Sequence, residues 1–266
     1  MKKKNIPVEF VYQLFALIIA VIIVHAFYVS VVRPNAAEVI AEQAIESQQN
    51  PGYIKERSTW VLIKDMEQEA CFVLMFWALA IMGFKTSLLL KERKFLDVDL
   101  IAIAEGMRIL PEDTREFGRQ IQALSNDQRS MVLPRALLNA LQRFSTTRNL
   151  QDVSTSTHLI FESEADRLES ELSMIRYISW AIPSIGFIGT VRGIGEALGQ
   201  ADLAVQGDIS GVTASLGIAF NSTFTALLIS IFLMFLVHQL QLLQERLVFD
   251  SEYYTNEKLI RHMKSD

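Results

Sequence analysis

The sequence has almost no cysteine, which disulfide-stabilised proteins need, and no excess of positive charge, which nucleic-acid-binding proteins need. Its 266 residues include a single cysteine, Cys71, and six prolines. One cysteine excludes an intrachain disulfide, so the fold does not depend on oxidation. Lysine and arginine number 25 against 30 aspartate and glutamate, and the formal net charge is −5. No basic stripe is available to neutralise phosphates, and we expect no nucleic-acid partner.

Motifs of catalysis and of cofactor binding are missing as well. The chain contains no Walker A loop, no dinucleotide fingerprint, no HExxH pattern and no Cys/His metal spacing. The four histidines are scattered, and no spacing would gather them on a metal ion; they are His25, His158, His238 and His262. The sequence therefore predicts no enzyme activity, no catalytic residue, no metal site and no cofactor.

Apolar residues, in contrast, are abundant and clustered. Half of the residues are hydrophobic, and the mean hydropathy is +0.25. The run from Phe10 to Val32 carries no Asp, Glu, Lys or Arg. As a helix it would be about 35 Å long, enough to cross a bilayer of about 30 Å. The apolar core of a cleaved signal peptide is only about 7–15 residues long, so we interpret this run as a retained first span.

Four such runs predict an all-α polytopic membrane protein with four transmembrane helices. Lys85 falls near the far end of the second run, where its long side chain can reach the interface. The predicted division is an N-terminus with the first span (1–32), a periplasmic segment (33–69), the second span (70–90), a cytoplasmic helical domain (91–176), the third span (177–198), a periplasmic loop (199–210), the fourth span (211–240) and a cytoplasmic C-terminal helix (241–266).

Positive charges set the predicted orientation. Cytoplasmic loops carry an excess of Lys and Arg. Such residues precede the first and third spans and follow the second and fourth, whereas the loop from Gly199 to Ser210 has none. Both termini and the 91–176 domain are therefore expected in the cytoplasm, with the spans in a bacterial inner membrane. The rule is imperfectly obeyed in segment 33–69, which has its own basic residues: Arg33, Lys55, Arg57 and Lys64.

Helical periodicity continues beyond the third and fourth spans. Apolar residues recur at helical spacing from Asp152 to Arg176, and this helix is expected to run straight into the third span. The fourth span is expected to continue toward Ile260. Two long helices would then project into the cytoplasm, although the same stripes equally fit helices that only pack the cytoplasmic domain together.

Small and hydroxyl-bearing residues share one face of each of the last two spans. Steps of three and four residues place them together, and small residues in lipid allow close approach of helices. A simple helix contact, with the Thr223 hydroxyl bonded to its own helix, is the plain interpretation. The faces comprise Pro183, Gly186, Thr190, Gly193 and Ala197 in the third span, and Ser215, Ala219, Ser222, Thr223, Ala226 and Ser230 in the fourth.

The two threonines are expected at one depth in the membrane. At 1.5 Å per residue, Thr190 lies about 20 Å beyond Tyr177 and Thr223 about 24 Å beyond Gln239. If both small faces point inward, they line one polar passage. Hydroxyl groups there can ligate a hydrated ion or hydrogen-bond the carboxyl group of a partner.

Charged residues within the spans are few. Arg192 and Glu196 lie one turn apart in the third span, nearly opposite Thr190, and either an ion pair along the helix or an ion relay fits them. No aspartate occurs in any predicted span. A proton or sodium path needs a carboxylate in the membrane, so we expect a partner to supply one.

At these residues the sequence resembles the MotA/TolQ/ExbB proton channel family. The stretch Gly186 to Ile194, GFIGTVRGI, resembles the pattern G-L-F-G-T-V-W-G-I of TolQ and ExbB, and Thr190 takes the place of that threonine. Arg192 stands where TolQ and ExbB have an aromatic residue. Thr223, followed by Ala226 where the family has glycine, resembles the threonine of the family's last span. Pro183 resembles a proline of MotA's third span, and the layout of two spans on each side of a cytoplasmic domain resembles that of MotA.

The resemblance implies a stator-type ring subunit of a motor driven by the ion-motive force. Five copies would surround two copies of a single-span partner of MotB/TolR/ExbD type, whose intramembrane aspartate binds a proton or a sodium ion. No cofactor beyond the translocated ion is implied. The ion pathway would comprise Thr190, Thr223, Ser222 and Asn221, and the packing of the pore face Pro183, Gly186, Gly193, Ala219 and Ala226.

Other functions are open at this level. A membrane scaffold or sensor without ion flux would use segment 33–69 and the cytoplasmic domain instead. A secondary transporter fits less well, because the four spans show no inverted symmetry. Hydroxyl groups serve protons and sodium ions alike, so both ions remain candidates.

Overall fold

The chain is helical throughout the part that the structure describes. The computed structural model describes residues 8–50, 53, 56–103 and 107–264, and these ranges contain helices, turns and one isolated bridge between Ile109 and Met263, but no strand. Four helical runs are long and apolar enough to cross a membrane. The predicted all-α class with four spans is thereby confirmed.

Eleven α-helices are present in the described ranges. The first two are separated only by a π-helical turn at Tyr28–Val32, and short 3₁₀ turns occupy Lys94–Asp97 and Ile260–His262. The helices are α1 (Val8–Phe27), α2 (Arg33–Gln49), α3 (Thr59–Ile63), α4 (Met66–Arg93), α5 (Thr114–Gln122), α6 (Asn126–Arg129), α7 (Val132–Thr147), α8 (Leu150–Glu171), α9 (Ser173–Leu198), α10 (Ala201–Val205) and α11 (Ser210–Lys258).

The first helical run is longer than the apolar run in the sequence. It extends over 41 residues, Glu9–Gln49, and so continues into the segment predicted to be periplasmic. Pro34 does not end it, because it occupies the first turn of α2, where proline has no hydrogen bond to lose. The π turn before it lets the Arg33 N–H reach the Tyr28 carbonyl. Arg33 therefore marks the end of the apolar run but not the end of the helix.

The predicted continuity of the later helices is confirmed. Only Leu172 separates α8 from α9, and α11 is a single helix of 49 residues. Neither an internal glycine nor Pro183 breaks these helices, because packing along their length outweighs local propensity.

The chain divides into two compact units. The membrane unit comprises residues 1–83 and 174–237, and the helical unit comprises residues 84–173 and 238–266. In the membrane unit, the hydrogen bonds between α1 and α4 include those from the Tyr12 hydroxyl to the Ala80 carbonyl (3.1 Å) and from the Trp77 indole to the Gln13 carbonyl (2.9 Å). In lipid such polar groups need a partner within the protein, so these bonds fix how the two helices pack.

The helical unit has its own apolar core. Side chains of α5, α7 and the C-terminal turn bury Ile121, Leu137, Phe144 and Leu259 together. Local chemistry sets the helix ends: Arg148 adopts a left-handed conformation (φ 53°) after α7, and the Asn149 side chain then caps the first N–H groups of α8.

Charges inside the helical unit are paired. Glu164 is 1% exposed and accepts hydrogen bonds from Arg135 and Arg167. Lys85 is buried as well, and its Nζ donates to Glu171 at 2.9 Å. Glu171 is a partly exposed counter-ion that is remote in sequence, and pairing with it replaces contact of Lys85 with water. The location of Lys85 relative to the membrane interface stays a prediction.

Candidate functional site

Helices α9 and α11 approach each other closely along their small-residue faces. A methyl group added at Gly186 would lie 2.5 Å from the Cβ of Ala226. One added at Gly193 would lie 2.6 Å from the Ser215 carbonyl oxygen and 2.8 Å from the Cβ of Ala219. Real Cβ atoms do not come this close, so only glycine fits at either position. Four of the residues predicted to pack the pore face thus pack the two helices of one subunit together: Gly186, Gly193, Ala219 and Ala226.

Pro183 contributes to the same contact indirectly, because it leaves a backbone carbonyl of α9 without its usual hydrogen bond. Proline has no N–H to donate to the residue four positions earlier, which is Ser179. The Ser230 hydroxyl of α11 donates to that Ser179 carbonyl at 3.1 Å. Because Ser179 and Ser230 are both buried, α11 supplies the hydrogen bond that the proline removes from α9.

Ser230→Ala is expected to destabilise the protein by about 0.6–1.7 kcal/mol, because the Ser179 carbonyl would then stay buried without a side-chain partner. Thermal unfolding of the detergent-solubilised protein measures the loss. Ser184→Ala is the matched control, since the exposed Ser184 hydroxyl bonds only to Trp180 of its own helix. Equal midpoints for the two variants would contradict this role of Ser230.

Thr190 and Thr223 meet at the centre of this contact. Their hydroxyl oxygens are hydrogen-bonded to each other, as their predicted equal depth requires. The Thr190 hydroxyl also lies 3.0 Å from the Ala219 carbonyl oxygen, and the Thr223 hydroxyl lies 3.1 Å from the Gly186 carbonyl oxygen. Both side chains are only partly buried. Four oxygen atoms therefore converge at this point, and the two threonine side chains remain partly exposed there.

Two arrangements of protons are compatible with this geometry. Each hydroxyl carries one hydrogen and two acceptor lone pairs. Either Thr223 donates to Thr190, which donates to the Ala219 or the Gly186 carbonyl, or Thr190 donates to Thr223, which donates to the Gly186 carbonyl. In both arrangements an oxygen lone pair is left for an incoming donor or a cation. The pair can thus bind a positive charge without breaking a helix.

The other flank of the α9–α11 contact is closed by α4. Gln68 is fully buried, and its amide nitrogen lies 3.3 Å from the Ser222 hydroxyl and 3.1 Å from the Leu62 carbonyl. Ser222 in turn touches the position of Gly189, where an added methyl group would lie 2.5 Å from the Ser222 Cβ. This flank is tightly packed and leaves no room for an ion.

Arg192 lies on this second flank and is paired with Glu67 of α4. Its Nε and second terminal nitrogen lie 2.7 and 2.8 Å from the two carboxylate oxygens, which is bidentate geometry. Glu196 adds a contact at 3.2 Å, so the ion pair predicted along the helix is present. The stronger partner is nevertheless Glu67, whose side chain is 9% exposed against 41% for Glu196.

The structure therefore divides the predicted pathway residues. Thr190 and Thr223 are together, whereas Ser222 faces α4 and bonds to Gln68. Asn221 lies two residues before Thr223, about 160° away around the helix, and is partly exposed. Neighbours in sequence point in different directions on a helix, so Ser222 and Asn221 do not lie beside the threonine hydroxyls, and their part in an ion pathway stays a prediction.

Sequence reasoning missed Glu67 and Gln68. Both fall in the segment predicted to be periplasmic, but α4 already begins at Met66. Acidic residues ahead of an apolar run are a signal of a helix N-terminus, because they stabilise its dipole. That signal could have moved the helix start. It could not have shown the pairing with Arg192, which lies 125 positions away.

One of three comparisons with known proteins found a match, and the match covers this part of the chain. Residues 128–252 match the model of the MotA/TolQ/ExbB proton channel family. Neither the search of curated proteins nor the search of solved structures found a match. The matched segment includes α9 and most of α11, and with them the threonine pair. Over residues 128–252, this multi-pass membrane protein is therefore similar to the MotA/TolQ/ExbB proton channel family.

Proposed function

We propose that the chain is the ring subunit of a motor driven by the ion-motive force, and that cations pass at the hydroxyl pair of Thr190 and Thr223. The observation that carries the proposal is the convergence of these hydroxyls with two carbonyl oxygens on a partly open flank. Oxygen atoms of this kind replace the hydration shell of an ion inside a membrane.

The ion-binding carboxylate is proposed to come from a second chain. Where the membrane unit is described, three acids in or next to the spans are already engaged: Glu67 and Glu196 contact Arg192, and Glu69 contacts Arg33 and His25, each at 2.6 Å. An acid held by a guanidinium is a poor carrier for an ion. A single-span partner of MotB/TolR/ExbD type, with an acidic residue in the membrane, would fill this need.

In this mechanism the chain's own residues replace the hydration shell of the ion and orient the ion. The lone pairs of Thr190 and Thr223 would accept a hydrogen bond from a proton carrier, or would ligate a sodium ion as it leaves water. The ion would then pass to the partner's carboxylate, and neutralising that carboxylate would let the partner move relative to the ring. Repetition around the ring would turn ion flow into rotation or force.

Exposed apolar surface on α9 and α11 supports a ring of identical copies. Helix α9 exposes Phe187 and Ile188, 65% and 60% respectively, and α11 exposes Phe220 and Phe224. Lipid and neighbouring copies would cover such surface. We propose five copies around two partner chains, in a bacterial inner membrane, with both termini in the cytoplasm.

Purification from the native membrane tests this assembly. Native mass determination is expected to give five copies of this chain with two copies of a co-purifying single-span protein that has an aspartate within its span. Reconstitution of that complex into liposomes is expected to give proton or sodium flux. A chain that purifies without such a protein and forms no ring would contradict the proposal and favour a scaffold or sensor.

A further inference from the structure

Arg192 places a positive charge close to the proposed cation route. It lies two residues after Thr190 in α9, on the far side of the helix, so its guanidinium is on the order of 10 Å from the hydroxyl pair. At an effective dielectric constant of about 20, one uncompensated charge at this distance disfavours a cation by on the order of tenfold. At the matching position the TolQ and ExbB pattern has a neutral aromatic residue. A cation route beside Arg192 therefore needs a compensating charge.

The structure supplies that charge from another helix. Glu67 lies in the first turn of α4 and binds Arg192 through both carboxylate oxygens, at 2.7 and 2.8 Å. We propose that Glu67 is the counter-ion that makes the hydroxyl pair accessible to cations, an inference that rests on the proposed function. Glu67 acts through Arg192 and does not itself bind the ion.

Local packing holds Glu67 in this position. The absence of a side chain at Gly189 leaves room for it, since an added methyl group there would lie 3.1 Å from the Glu67 Cγ. Next to it, Gln68 is tied to Ser222 and to the Leu62 carbonyl. The first turn of α4 is therefore anchored on both α11 and α3, and it keeps Glu67 buried.

Glu196 is the natural comparison, because it also contacts Arg192. Its side chain is 41% exposed, and it makes a single contact at 3.2 Å. Water and salt screen an exposed carboxylate far more than a buried one. Glu67 should therefore dominate the potential at the hydroxyl pair, although both acids carry the same formal charge.

Ion flux through the complex purified from the native membrane tests the inference. The complex is reconstituted in liposomes, a potassium diffusion potential drives the flux, and dyes sensitive to protons and to sodium report it. Glu67→Gln is expected to lower the flux about tenfold. The double variant Glu67→Gln with Arg192→Gln, which removes one charge of each sign, is expected to restore it to within about threefold of the unmodified complex. Glu196→Gln is the control and should change the flux less than about twofold.

Charge compensation and simple structural support predict different outcomes. Restoration by the double variant supports compensation, because that variant lacks the ion pair but has balanced charge. Unchanged flux in Glu67→Gln, or equally low flux in an intact double variant, would overturn the inference. If Glu67→Gln fails to assemble, the flux of the double variant decides in the same way. Thr190→Val in the same assay separates the two proposals, because normal flux there rejects the proposed route itself and with it the role of Glu67.

Discussion

Thr190→Val is expected to lower ion flux through the reconstituted complex by at least about a hundredfold. Valine matches the shape of threonine but has no hydroxyl, so the cation loses an oxygen ligand and Thr223 loses one of its two hydrogen-bonding partners. Loss of one polar contact in an apolar environment costs several kcal/mol, and each 1.4 kcal/mol is a factor of about ten. Thr223→Val should have the same effect, because the two hydroxyls act as one unit.

A matched threonine in the same helix controls for the substitution itself. Thr225 is 5% exposed, and its hydroxyl has no hydrogen-bonding partner. Thr225→Val therefore removes an unsatisfied polar group, and both flux and stability should stay at or above the level of the unmodified protein. Normal flux in Thr190→Val and Thr223→Val, with the complex intact, would refute the assigned route.

Gly193→Ala is expected to destabilise the membrane unit by about 3 kcal/mol and to prevent stable assembly. The added methyl group would lie 2.6 Å from the Ser215 carbonyl oxygen and 2.8 Å from the Ala219 backbone nitrogen. These are backbone atoms, which cannot rotate away as a side chain would. Helix α11 must therefore move off α9, and the hydroxyl pair would separate. Thermal unfolding and size-exclusion chromatography in detergent measure both consequences.

Gly195→Ala is the matched control, because Gly195 follows Gly193 in α9 by two residues, about half a helical turn. No atom lies within 4 Å of a methyl group added there, and alanine is a better helix former than glycine by about 0.8–1 kcal/mol. This variant should assemble normally and unfold at the same or a higher temperature. A loss of stability in Gly195→Ala as large as that in Gly193→Ala would show that glycine serves helix flexibility here and not close packing.

Much of the membrane unit was predictable, because it depends on local sequence patterns. The long apolar runs predicted four spans, since only a helix satisfies its backbone hydrogen bonds in lipid. Steps of three and four between small residues indicated faces that allow close helix approach, and their positions along the helices predicted a similar depth for Thr190 and Thr223. The proline and the serine that compensates for it lie on these same faces, yet their hydrogen bond was not predicted.

What the sequence did not reveal depends on contacts between distant segments. Glu67 lies beyond the apolar run of the second span, and nothing local shows that it binds Arg192. Ser222 is next to Thr223 in sequence but turns toward α4, since adjacent residues on a helix differ by about 100°. Lys85 lies near the end of an apolar run, as lysines at a membrane interface do. Its burial depends on the ion pair with Glu171 in the helical unit, which no local pattern shows.

Access of water to the hydroxyl pair tests the central claim most directly. Cys71 is the single cysteine in the chain and is buried, so Cys71→Ala gives a background in which Thr223→Cys is the only thiol. A charged, water-soluble methanethiosulfonate reagent is expected to modify Thr223→Cys in the intact complex. Phe224→Cys, on the exposed apolar face, should resist the same reagent. Modification of Phe224→Cys but not of Thr223→Cys would place the threonine away from water and contradict the account.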